Sequence, residues 1–168
     1  MEKKLLILGL LLSHGMHGYQ LNDMLEKNPG TPISLKKSNA YKLLGEMEQD
    51  GWITAIQEQE GNRPLRRVYS VTEKGKAAFF QMLQENLSSY SSPEFPSLVG
   101  LDFLYFLPAE EAASLLETRV DLVKREFRKL DAISSEIRQS HFVTDYLHQY
   151  YVHQIEWLTN KVNKLRSN

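Results

Sequence analysis

The sequence predicts a mainly α-helical protein with one small β-hairpin: a compact N-terminal domain followed by a helical C-terminal one. Three observations carry this expectation. Apolar residues recur at helical spacing through most of the chain. Two runs rich in β-branched and aromatic residues, 52–59 and 66–72, are separated by turn formers. A Ser/Pro-rich stretch, "SSYSSPEFPS", divides the chain near its middle. The expected layout is a domain over 1–88, a linker over 89–100 and a helical domain over 101–168.

The first helix is read from "MEKKLLILGLLLSHGMHGY". Lys3 and Lys4 ahead of the apolar run Leu5–Leu12 resemble the start of a secretory leader, but no small-residue cleavage site follows. The run is also far short of the ~20 residues a membrane span needs. A buried helix in a cytoplasmic protein is expected instead. The glycines of "HGMHGY" break the periodicity, and "YQLNDMLEK" then sets Leu21, Met24 and Leu25 on one face of a second helix that "NPGTP" stops.

A third helix, capped by Ser34 or a neighbour, carries Ala40, Leu43 or Leu44, and Met47 at helical spacing until Asp50-Gly51 ends it. Its charges are in an unusual order. Lys36, Lys37, Ser38, Asn39 and Lys42 occupy the first turns, while Glu46, Glu48 and Asp50 come late. The helix dipole favours the reverse, with anions at the N-terminus and cations at the C-terminus, so the lysines answer to something outside the helix.

The hairpin follows. Gly61, Asn62 and Pro64 form its turn, and Arg63, Arg66 and Arg67 gather there in a chain whose formal net charge is only −1. Such a balance excludes a uniformly basic coat, so any nucleic-acid binding must rest on a patch. Trp52 is expected to anchor the hairpin to the core. Thr72 then caps a fourth helix through "KAAFFQMLQENL".

Three helices, a two-stranded wing and a further helix make a winged helix-turn-helix, whose third helix enters the DNA major groove. Lys and Arg bond guanine, and Asn bonds adenine, on their groove edges. Arginines at a wing tip reach phosphate or the narrow minor groove, the alternative for Arg66 or Arg67 being to point along the strand toward the core. On this reading Asn39 and Lys42 read or border base edges while Lys37 and Tyr41 hold phosphate.

Within this order, "LGLLLSHGMHGYQL", "SNAYKLLGEMEQDGWI" and "RRVYSVTEKG" closely resemble the winged helix-turn-helix of PadR-type bacterial transcriptional regulators over roughly residues 4–85. In that family "HGY" opens the second helix, "G-[ST]-x-Y-P" starts the recognition helix and "Y-x-[LV]-T-x-x-G" closes the wing. His17-Gly18-Tyr19, Ser38 to Tyr41 and Tyr69 to Gly75 stand at those places. Ser38 replaces the usual Gly and Lys42 the frequent Pro, departures that bear on base preference rather than on the mode of binding. The DNA-binding set is therefore Tyr19, Lys36, Lys37, Ser38, Asn39, Tyr41, Lys42, Arg63, Arg66 and Arg67. The resemblance further implies a repressor acting on double-stranded DNA, and family members answer to phenolic acids or planar drugs, so a small-molecule effector is conceivable.

In the C-terminal half, Pro108 and Glu110-Glu111 start a long helix carrying Leu116, Val120, Val123, Phe127, Leu130 and Ile137. The paired glutamates serve the helix dipole rather than acid–base catalysis. A last helix carries Val143, Leu147, Tyr150, Tyr151, Ile155, Leu158, Val162 and Leu165. The two stripes need each other and, beyond that, exceed what one subunit can bury, so these residues are expected at a homodimer interface, which would require an inverted-repeat operator. Helical C-terminal dimerisation is also what the resemblance implies.

Other constellations give little. His148 and His153 lie five apart and His14 and His17 straddle a glycine break, so neither pair has metal-site spacing. Trp157 is read as packing. With no cysteine, phosphate loop or nucleophile motif, no enzyme activity, cofactor or metal is expected. The rival reading is a winged-helix protein-interaction module that does not bind DNA.

Overall fold

The structure, a computed structural model, describes residues 1–14, 33–59, 66–133 and 141–167. The chain divides into two compact units, Met1–Ser91 and Ser92–Asn168. It is mainly helical with one two-stranded antiparallel sheet, as the sequence predicts. The predicted second helix, with Tyr19, falls outside the described residues, as do the hairpin tip with Arg63 and Ile137 of the C-terminal half.

In the first unit α1 spans Glu2–His14, α2 Lys37–Gln49, β1 Ile53–Glu58, β2 Arg66–Val71 and α3 Glu73–Ser88. Ile7, Leu8 and Leu11 of α1 meet Ala40, Leu44 and Met47 of α2, Ile53 and Tyr69 of the strands and Met82 of α3 in one core. Burying side chains of this kind stabilises a fold by about 1.5–3 kcal/mol each, which makes this cluster the main support of the unit.

Leu35 joins the core at 4% exposure, and this moves the start of α2. The chain stays extended through Lys36, the N-cap, with no side-chain cap bond, so Ser34 does not cap the helix as expected. The other end follows the sequence. Gly51 takes φ +70°, a left-handed conformation favoured by glycine. Its N–H donates to the Glu48 carbonyl at 3.0 Å and Trp52 N–H donates to Met47 at 2.8 Å, the paired bonds of a Schellman stop.

The strands pair from Ile53↔Val71 to Glu58↔Arg66. At the end of β2 the predicted cap is present. Thr72 Oγ1 accepts from the Gly75 N–H at 3.0 Å and donates to the Gly51 carbonyl at 2.7 Å, and its own N–H donates to Trp52 O at 2.9 Å. Gly75 has no freedom here to carry a side chain, since a Cβ would stand 1.9 Å from the Trp52 carbonyl oxygen. The "T-x-x-G" spacing is thus a consequence of how the wing is stitched to α3.

In the second unit Pro96–Leu98 and Leu104–Phe106 form 3₁₀ turns on either side of the short α4, Val99–Asp102. The first of these turns lies where a linker was expected. Arg119 ties it down, donating from Nη1 to the Ser97 carbonyl at 2.7 Å and from Nη2 to Ser97 Oγ at 3.2 Å. Then α5, Ala109–Asp131, and α6, Phe142–Arg166, pack as an antiparallel pair. Arg166 at the end of α6 pairs with Glu110 and Glu117 near the start of α5, and His148 lies 3.8 Å from Asp131 at its end.

Candidate nucleic-acid interface

The recognition helix α2 buries Ala40, Leu44 and Met47, spaced so that one face is committed to the core. At 100° per residue Ser38, Tyr41, Lys42 and Gly45 fall on the opposite face. Lys36, Lys37, Ser38, Tyr41 and Lys42 are exposed and Asn39 is half-buried. The structure therefore brings six of the sequence-predicted residues together on one helix start. With no side-chain cap on α2, its orphan backbone N–H groups add to the positive character there.

The acidic end of α2 is neutralised from inside the unit. Lys4 of α1 lies 3.3 Å from Glu46 and 3.4 Å from Asp50, with its ammonium 5.2 Å from the centre of the Trp52 ring. Glu48 accepts from Arg67 Nη2 at 3.1 and 3.3 Å. Lys42 approaches Glu46 only to 4.0 Å and remains largely exposed. The result is a helix whose first turns present exposed cations while its last carboxylates face protein cations. The late acidic residues, which the dipole argument left unexplained, find their partners here.

Arg67 differs from the picture of a wing-tip charge. Residues 67, 69 and 71 share one face of β2, and the Arg67 guanidinium lies 5.8 Å from the Tyr69 ring centre while bonding Glu48. Tyr69 itself is 2% exposed. Burial raises its phenol above the ordinary tyrosine value, Arg67 opposing and Glu48 reinforcing the shift. Arg66 opens β2.

The predicted dimer residues separate into two groups. Leu158 and Val162, at 3% and 4% exposure, pack on Ala113, Leu116 and Val120 of α5, with Leu165 partly buried beside them. That part of the predicted stripe is covered within the subunit, because the α5 stripe faces it. Leu147, Tyr151 and Ile155 are half-buried, and Val143 and Tyr150 reach solvent. A second stripe runs about a third of a turn away, in which Tyr150 was expected at the interface but Phe142 and Tyr146 were not: Phe142, Tyr146, Tyr150 and Trp157 are each exposed, with Phe142 at 92% and Tyr146 at 70%. Its aromatic spacing at i, i+4, i+8 and i+15 was the available signal. Tyr150 and Trp157 also line a cavity of about 270 Å³ with Phe95, Leu98, Arg119 and His153.

This arrangement, helices packed against a two-stranded antiparallel hairpin, matches winged-helix structures. Residues 7–81 match the Transcriptional regulator PadR-like family. The chain is 25% identical over 138 residues to the negative transcriptional regulator PadR of Bacillus subtilis, covering 82% of this chain and 72% of that one. The crystal structure of Bacillus subtilis PadR in complex with operator DNA matches with a TM-score of 0.83 at 21% identity, over 96% of this chain and 98% of that one. The same protein in complex with p-coumaric acid gives 0.76 at 20% identity, over 98% and 96%. Among the described residues, no helix is long and apolar enough to cross a membrane.

Proposed function

We propose that the chain is a cytoplasmic, homodimeric repressor that binds an inverted-repeat operator through α2 and the wing and is released by a small-molecule effector. One observation carries this reading: α2 exposes Lys36, Lys37, Ser38, Asn39, Tyr41 and Lys42 while its carboxylates are occupied by Lys4 and Arg67. Asn39 and Lys42 read or border base edges, and Lys37 and Tyr41 hold phosphate. Tyr19, Arg63 and Arg66 contribute further DNA contacts. Arg67 contributes mainly as the counter-ion that keeps Glu48 from repelling the duplex.

Dimerisation runs through the exposed face of α6, with Phe142, Val143, Tyr146, Tyr150 and Trp157 as its centre and Leu147, Tyr151 and Ile155 at its edge. A two-fold axis there sets two recognition helices about 34 Å apart, or a multiple of it, on one face of the duplex. The Bacillus subtilis relative's complex with p-coumaric acid supports an effector of planar aromatic type. The cavity beside Trp157 has room for one, and it borders the proposed subunit contact, so occupancy would bias the separation of the recognition helices and hence operator affinity.

Selection of bound sequences from random duplex DNA by the full chain, with sedimentation of the same protein, tests the reading. An inverted repeat retained by a dimer is the expected result. Tyr146→Lys should stay folded yet sediment as a monomer with weakened binding. A chain that selects no sequence, or a monomer that binds an undivided site at full strength, overturns the proposal in favour of a protein-interaction module or a different DNA geometry.

A further inference from the structure

Gly45 is the residue in α2 that the protein's own packing does not explain. It lies in the interior of a 13-residue helix, where glycine is less stable than alanine because the unfolded chain regains more freedom. Helical glycines are commonly retained where a neighbour comes too close for a Cβ, as happens at Gly75. At Gly45 a Cβ would meet no atom within 4 Å. No left-handed conformation requires it either, since the one positive-φ glycine among the described residues is Gly51.

The position is specific. On the helical wheel residue 45 lies between residues 41 and 38 or 42, half-buried and on the side of the helix away from Ala40 and Met47. The side chains around it are Ser38, Tyr41 and Lys42, the exposed residues already assigned to DNA. A bare stretch of backbone is thus framed by hydrogen-bonding and cationic side chains on the surface that faces the ligand.

We propose that Gly45 is a specificity-determining residue. Its missing side chain lets the recognition helix sit deep enough in the major groove for Asn39 and Lys42 to reach base edges, at a cost in the stability of the free protein. This rests on the DNA-binding reading above. Close approach matters only for base readout, because a non-specifically bound protein is held by phosphates and stands off the groove floor. A side chain at 45 therefore acts as a spacer on the operator and is nearly neutral on other DNA.

Opposite signs in two measurements on the intact chain test this. Gly45→Ala should raise the melting temperature by about 3–6 °C, as relief of a mid-helix glycine does in a domain of this size. The same variant should bind the duplex selected by the wild type about tenfold more weakly, the scale of a methyl group forced into a close contact. Binding to a scrambled duplex of equal length and composition should change less than twofold. Gly45→Leu, also a good helix former, should deepen the operator loss to about a hundredfold and keep the gain in stability. A lowered melting temperature in Gly45→Ala would place the reason for the glycine inside the fold and overturn the proposal. Unchanged operator affinity in a stabilised variant would overturn it too, while leaving DNA binding intact. A wild type that retains no duplex would remove both readings together.

Discussion

The two units solve the problem of burial differently. The first closes its core from five elements, so Ile7, Leu8, Leu44, Met47 and Ile53 are each at 2% exposure or less. The second has a seam between two long helices, held by Leu116, Val120, Leu158 and Val162, and it leaves Phe142, Tyr146 and Tyr105 at 70% exposure or more. A core shared by many elements hides its apolar surface within one chain. A helix pair has one inner face, so whatever apolar residues it carries elsewhere remain outside. The first unit is built to present charges to a ligand, and the second keeps apolar surface in reserve.

The largest expected effect breaks the thin seam. Leu158→Asp puts an unpaired charge where α5 and α6 meet and should cost about 3–5 kcal/mol of the second unit's stability. Hydrogen exchange should show protection lost throughout α5 and α6 while α1 to α3 keep theirs. Loss confined to dimerisation, with both helices still protected, would mean that the seam is not what holds the unit together.

The converse break is Gly75→Ala. With a Cβ 1.9 Å from the Trp52 carbonyl, wing and α3 must separate, and a cost of about 3 kcal/mol to the first unit is expected, read as a lowered urea midpoint for that unit alone. If the variant melts as the wild type does, the Trp52–Thr72–Gly75 stitch is not rigid.

A smaller effect sharpens the contrast between a unit that presents charge and one that hides surface. Glu48→Gln should lower stability by only a few tenths of a kcal/mol, because both partners of the Arg67 pair are partly exposed. Freed from Glu48, Arg67 should gain a phosphate, steepening the slope of log affinity against log salt by up to about 0.9. An unaltered slope would show that Arg67 cannot reach the duplex.

The smallest effect concerns pH. Burial holds the Tyr69 phenol above its ordinary value, so the folded state favours the neutral form. That contribution is complete below the unfolded value of about 10 and is lost as pH rises through the higher folded value. Unfolding midpoints should therefore fall more between pH 9 and about 11.5 in the wild type than in Tyr69→Phe. Equal falls would assign the alkaline loss elsewhere.

Periodicity and turn chemistry made much of the fold legible. The stop at Asp50-Gly51, the Thr72 cap and the start of α5 after Pro108 each rest on a few adjacent residues. The start of α2 was misread because Leu35 is drawn into the core, a tertiary demand that outweighs the capping tendency of Ser34. The Ser/Pro-rich segment hid its 3₁₀ turn because Arg119, far along the chain, supplies the bonds that fix it. For α6, spacing identifies faces but not what covers them: the two stripes were expected to need both each other and a second chain, and Leu158 and Val162 are the part that α5 covers. The exposed cations of α2 could be read directly from their order along the helix. That Glu48 belongs to Arg67, and Glu46 and Asp50 to Lys4, depends on chain segments brought together only by folding.

Each unit carries one of the chain's two tryptophans, and they sit in contrasting surroundings. Trp52 is half-buried at the foot of the wing with the Lys4 ammonium over its ring, whereas Trp157 lies on the exposed aromatic stripe with Lys161 5.0 Å from its ring centre. The intrinsic emission of the protein is therefore a sum of two optically distinct reporters. A dissolved quencher should reach Trp157 first, and association of subunits should shield it, while Trp52 should respond when the wing loosens. Trp157→Phe and Trp52→Phe make each reporter visible alone, so wing opening and subunit exchange can be timed separately in the same intact molecule without any attached dye.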